Sequence, residues 1–205
     1  MAKRSAPEVN AGSMADIAFL LLIFFLVTTT IETDSGISRK LPQIQPEDIV
    51  PPILKQRNVF TVLVNSNGDL LVEDEPFQLE NLRAEAVAFL DNGGGTGEEK
   101  CTFCQGARDP DSSDNPEKAV ITLQNDRATE YGVYIAVQNE LVAAYNELRD
   151  REAQRLYGQL FTAMEKDYAN PQSPRFKSDA LKEKIDKIKD MIPQKLSEAE
   201  PKKTS

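Results

Sequence analysis

Residues 14–31 read MADIAFLLLIFFLVTTTI, and the fold turns on what that stretch is. From Ile17 to Val27, eleven residues pass without a polar side chain. As an α-helix the whole stretch rises about 27 Å, close to the hydrocarbon thickness of a bilayer. A cleaved signal peptide is one reading, and Lys3 and Arg4 supply its basic start. No small-residue cleavage site follows, however, and the polar lead with Pro7 and Glu8 is long for that role. A buried helix of a soluble domain is another reading, but a helix apolar on every side suits lipid better. The stretch is therefore expected to be an uncleaved transmembrane anchor.

Asp16 lies at the mouth of this segment. On a helix it shares one face with Leu20, Ile23, Val27 and Thr30. An acid on such a stripe needs a partner helix or a wet cleft, and intramembrane acids are typical of proton and ion pathways. An aspartate resting in the headgroup region is the alternative, and the residues by themselves weigh the two evenly. Lys3 and Arg4 precede the span, whereas Arg39 and Lys40 lie beyond it, so the positive-inside rule favours a cytoplasmic N-terminus by a small margin.

Outside this stretch the chain is polar enough to sit in water; the 205 residues as a whole are 28% charged, with a net charge of −9. That balance argues against nucleic acid, whose phosphates need clustered Lys and Arg. The chain has no His, which removes imidazole metal ligands and His-based catalysis. No cofactor-binding or metal-binding motif stands out.

Residues 42–52 contain four prolines and read as an extended tether. Asn58–Val64 (NVFTVLV) has a strand's β-branched and aromatic content, Asn67-Gly68 signals a turn, and Asp69–Glu73 (DLLVE) returns. Residues 77–90 carry Leu79, Leu82, Ala86, Phe89 and Leu90 at helical spacing. Ala119–Gln124 (AVITLQ) reads as a buried strand, and Thr129 as the N-cap of a helix opening with Glu130 and Tyr131. The stripe Ile135, Leu141, Tyr145, Leu148 continues through Ala153, Leu156, Leu160, Phe161 and Met164, which predicts one long helix. No closing strand is evident after it. Leu181, Ile185, Ile188 and Ile192 form a narrow stripe, expected to cap the chain's own domain or, less economically, to pack on a second copy or on the envelope. Glu198–Ser205 is expected to be disordered.

Cys101 and Cys104 stand in Cys-Thr-Phe-Cys within a Gly-rich loop, 91–116. Two thiolates make half a tetrahedral zinc site, and redox C-x-x-C pairs open helices, which this one does not. A local disulfide that stiffens the loop is expected, with a thiol-disulfide enzyme the remotest reading.

The stretch Asn10–Thr30 resembles the N-terminal signature of the ExbD/TolR family, in which an Asn precedes an aspartate by six residues, as Asn10 precedes Asp16 here. The family usually has a Pro where this chain has Ser13. Ile37–Gln43 (ISRKLPQ), with its Leu41-Pro42 pair, is similar to the family's extended segment beyond the membrane. VITLQND with Asp126, followed by Tyr131-Gly132, matches its later landmark, so the resemblance spans about Asn10 to Arg149. It implies a single transmembrane helix and a small α+β outer domain, a sheet covered by helices. It further implies that Asp16 is the proton carrier of a proton-motive-force-driven transducer subunit, not an enzyme, in the bacterial inner membrane.

The partners so implied are an ExbB/TolQ-like polytopic protein, a TonB-like transducer, membrane lipid and a second copy of the chain. The expected organisation is 1–13 cytoplasmic, 14–31 transmembrane, 32–57 linker and 58–168 a periplasmic domain with its insertion at 91–116. A C-terminal helix and tail follow at 169–205. The expected role is powering TonB-dependent outer-membrane transport. A TolR-like role in envelope integrity and a membrane-tethered binding or scaffold module are the alternatives.

Overall fold

The computed structural model describes residues 11–28 and 55–199. The chain divides into two units, Met1–Val50 and Pro51–Ser205. In the first, α1 runs Ala11–Thr28. The side chains of Phe19, Leu20, Leu21 and Leu22 are all more than half exposed. At about 100° per residue, four consecutive positions face every direction, so this helix is apolar all round. Among the described residues no helix is long and apolar enough to cross a membrane. The expected span continues to Ile31; α1 is described as far as Thr28, and residues 29–31 lie outside the described residues. The Leu41-Pro42 segment and the proline tether lie outside them too.

The second unit is α+β. Strands β1 (Val59–Val64), β2 (Leu70–Val72), β3 (Glu75–Phe77), β4 (Val120–Asn125) and β5 (Leu196–Glu198) form one sheet in the order β3-β2-β1-β4-β5. β2 pairs antiparallel with β1 and β3, while β4 pairs parallel with β1 and β5. Period-two alternation decides which face is buried. Phe60, Val62 and Val64 stand beside Ile121 and Leu123 in register and are all buried, as are Leu70 and Val72 of the neighbouring strand. Helices α2 (Leu79–Leu90) and α3 (Tyr131–Tyr157) cover that face through Leu82, Ala86, Leu90, Val137, Leu141, Ala144, Tyr145 and Leu148.

Several expectations are corrected here. The sequence hid β3, because the β2–β3 turn is made by Glu73 and Asp74, with φ of 52° and 68°, rather than by Gly or Asn. Both central residues of this two-residue hairpin take the left-handed conformation its twist requires. Thr129 does not cap α3: Glu130 holds that position without a side-chain cap, and Thr129 Oγ1 donates to the Asn65 carbonyl at 3.0 Å. Nor is α3 one helix to Met164. Gly158, at φ 64°, stops it, and α4 (Phe161–Ala169) starts anew. Leu156 and Leu160, expected in the stripe, are left exposed at that break.

A closing strand does exist, displaced past two helices. β5 follows α5 (Asp179–Met191) and lies parallel to β4, so the segment after residue 168 completes the sheet. Glu198 is thereby a strand residue rather than the start of a disordered tail. Ala153, Phe161, Met164, Leu181, Ile185 and Ile188 form a second small core between α3, α4 and α5, so α5 caps its own domain.

Candidate functional site

Asp16 sits in the second turn of α1 with its side chain exposed, and Leu20 and Ile23 one and two turns further on are also exposed. Val27 is in the same helix, and Thr30 lies outside the described residues. On α1 the carboxylate is thus the single ionisable group in a helix whose other described side chains are almost entirely apolar. No group of His, Cys, Asp or Glu that could hold a metal ion is present among the described residues.

Cys101 and Cys104 are joined by a disulfide, with Cα atoms 5.6 Å apart, and both are buried. The bridge packs on Gly93, where an added Cβ would lie 2.8 Å from Cys104 Cβ. No thiol is therefore free to act as a nucleophile or ligand. The loop around it is folded tightly. Asn92, itself buried, donates through Nδ2 to the carbonyls of Asp109 and Ser113, each at 2.8 Å, and accepts from the Asp109 amide.

Sequence reasoning missed an open groove of about 790 Å³ at one end of the sheet. Leu70, Phe77, Leu79, Val133 and Ala136 line it, with Asp69 and Glu130 among its polar lining residues. It exists because β3 and the β1–β2 turn extend the sheet alongside the start of α3. The arrangement can receive apolar side chains. The only sequence signal was the Asn67-Gly68 turn, where Gly68 takes φ 85° and sits against Val133.

A second missed cluster surrounds Asp114, which is fully buried. Asn58 Nδ2 donates to its carboxylate at 2.9 Å, Lys55 Nζ approaches at 3.2 Å, and Arg57 Nη2 donates to the other oxygen. Nearby, Glu99 receives Lys55 at 2.6 Å and Lys118 at 2.5 Å. The hydrogen bonds from Lys118 and Lys55 hold the Glu99 carboxyl down at about 2. These residues are scattered between Lys55 and Lys118, so no local pattern announces them.

An apolar helix with one acid and an α+β module on its own core make up a two-unit protein. The family model described as biopolymer transport protein ExbD/TolR matches residues 2–149, and the chain belongs to that family. Members are subunits of transport and energy-transduction systems rather than enzymes. No curated protein matches the chain. The match ends at Arg149, within α3, so α4, α5 and β5 lie beyond the matched residues.

Proposed function

We propose that the chain is the proton-carrying subunit of an ion-driven energy transducer in the bacterial inner membrane. Residues 14–31 are the membrane anchor, with the N-terminus cytoplasmic and the α+β domain periplasmic. Asp16 takes a proton from one side and gives it to the other against an ExbB/TolQ-like polytopic partner. One charge crossing 100 mV releases about 2.3 kcal/mol, enough to bias a helix movement. A second copy of the chain and a TonB-like protein complete the assembly, which powers outer-membrane transport. The observation that carries this reading is Asp16, the one ionisable residue of α1, on a helix whose large apolar side chains face outward all round.

The test is Asp16→Asn in cells carrying the partner. Assembly should persist while ion-driven transport falls at least tenfold, and Asp16→Glu should restore part of it. Unchanged transport in Asp16→Asn sinks the reading in favour of a tethered scaffold. Transport that persists while envelope integrity fails would point to the TolR-like role instead.

A further inference from the structure

The segment that enters the outer domain is gripped by the insertion at 91–116. Lys55, Arg57 and Asn58 stand immediately before β1, and each is held by a residue of the insertion. Asn58 and Asp114 bond reciprocally: Asn58 Nδ2 donates to the carboxylate at 2.9 Å, and the Asp114 backbone N–H donates back to Asn58 Oδ1 at 2.8 Å. Arg57 spans two points, donating from Nη2 to Asp114 and from Nη1 to the Pro110 carbonyl at 2.7 Å. Its Nε is buried without a hydrogen-bond partner, a cost that those two contacts must offset. Lys55 bridges Asp114 and Glu99.

The gripping loop is itself stiff. Gly94 and Gly95 donate their amides to Ser113 and Asp114 at 2.9 and 3.0 Å, pairing the outgoing and returning arms. Both glycines are forced by crowding, since an added Cβ would fall 2.2 Å from the Asp109 carbonyl and 2.3 Å from the Glu99 carbonyl. Ser113 Oγ ties the returning arm to the Phe89 carbonyl of α2. The Cys101–Cys104 bridge fixes the turn between the arms against Gly93. Because β1 and β4 are parallel, Val59 and Val120 lie side by side, and the insertion, which leads into β4, reaches the same end of the sheet as the entering chain.

We propose that the insertion is a disulfide-braced clasp that closes on Lys55–Asn58, so that a pull on the chain before Lys55 is borne by Asp114 and α2 rather than by the first pairs of β1. The load on the chain rests on the transducer reading; the clasp does not. A neutral Asp114→Asn weakens three cationic and amide contacts at one point. Loss of the bridge in Cys101→Ser/Cys104→Ser releases the loop that presents Glu99 and Asp114.

Limited trypsin digestion of the full chain in detergent tests the clasp, reading cleavage after Lys55 and Arg57 against cleavage after Lys184 in α5. Asp114→Asn is expected to raise cleavage at the first two bonds at least tenfold with the α5 rate unchanged. The double serine variant, and the parent protein treated with reductant, should move the same way. Wild-type rates in Asp114→Asn overturn the proposal. If that variant cleaves faster everywhere, hydrogen exchange in the milder Lys55→Ala decides. Faster exchange confined to the Asn58 amide, which donates to the Lys55 carbonyl at 2.9 Å, supports the clasp, and unchanged exchange overturns it. Asp16→Asn should leave all these rates untouched, which separates the clasp from the transducer reading. With Asp16 intact, an opened clasp should lower ion-driven transport at unchanged assembly; unaffected transport overturns the part about load.

Discussion

The guanidinium of Arg151 and the carboxylate of Asp91 meet as two parallel hydrogen bonds, Nη1 to Oδ2 at 2.6 Å and Nη2 to Oδ1 at 2.7 Å. Asp91 closes α2 and begins the insertion, while Arg151 lies on α3 just past the part of the chain that matches the family. The pair therefore fastens the start of the 91–116 loop to α3. The bond to Asp91 also pushes the Arg151 guanidinium's affinity for its proton above the ordinary value.

Replacing Arg151 by Ala leaves Asp91, almost fully buried, without its partner. The expected loss is about 1–3 kcal/mol, read as a lower midpoint in urea unfolding. Arg151→Lys keeps the charge but not the fork, so its loss should fall between parent and Ala. Equal midpoints for Lys and Arg would show that charge rather than geometry holds the pair.

Ile192 is fully buried where α5 ends, and Arg149 donates from Nε and Nη2 to its carbonyl at 3.0 and 2.9 Å. Ile192→Ala should cost about 2–5 kcal/mol. Leu160, on the apolar stripe of the sequence but 47% exposed, should change stability by no more than about 0.5 kcal/mol on the same substitution. Comparable losses at the two sites would contradict the break at Gly158.

Glu99 sets an acid limit. Its folded carboxyl is held at about 2 against an ordinary 4.5, so its ion pairs contribute fully above about pH 4.5 and are lost as pH falls toward 2. Melting temperature against pH should therefore drop less steeply over that window in Glu99→Gln than in the parent. Identical slopes would remove Glu99 from acid unfolding.

Tyr145 sets an alkaline one. Burial raises its hydroxyl above the ordinary 10.0, more than the bond to the Lys195 carbonyl and the nearby Arg149 lower it. A raised folded value means that stability is whole below pH 10 and is lost as pH rises beyond it. Tyr145→Phe should lose about 1 kcal/mol near neutrality and show a flatter decline above pH 10 in denaturant titrations.

Elements written in local periodicity were legible. Val59–Val64 and Val120–Asn125 stood out by their β-branched and other apolar residues, and the Leu79–Leu90 stripe needed only the helical repeat. β3 and β5 were not, since Glu-Pro-Phe and Leu-Ser-Glu carry little strand signal and pair only because a neighbour offers an edge. Pro76 is tolerated because β3 is an outermost strand. Continuity of the stripe hid the stop at Gly158, as one glycine's backbone freedom outweighs several apolar positions further on. Asp16 could be singled out because an acid beside eleven apolar residues contrasts with its neighbours. Asp114 stood among other acids in a polar loop, with nothing to mark it.

Sequence by itself determined the apolar helix with its single acid, the family, and the strands and helices of the buried face, because each rests on contrast between neighbours along the chain. Only the tertiary structure decided that the last residues complete the sheet and that Asp114 closes on Lys55, Arg57 and Asn58. It alone decided, too, that the insertion is a built part of the domain. Those outcomes depend on groups some sixty residues apart finding one another, and the free energy of such contacts exists only once the intervening chain has folded.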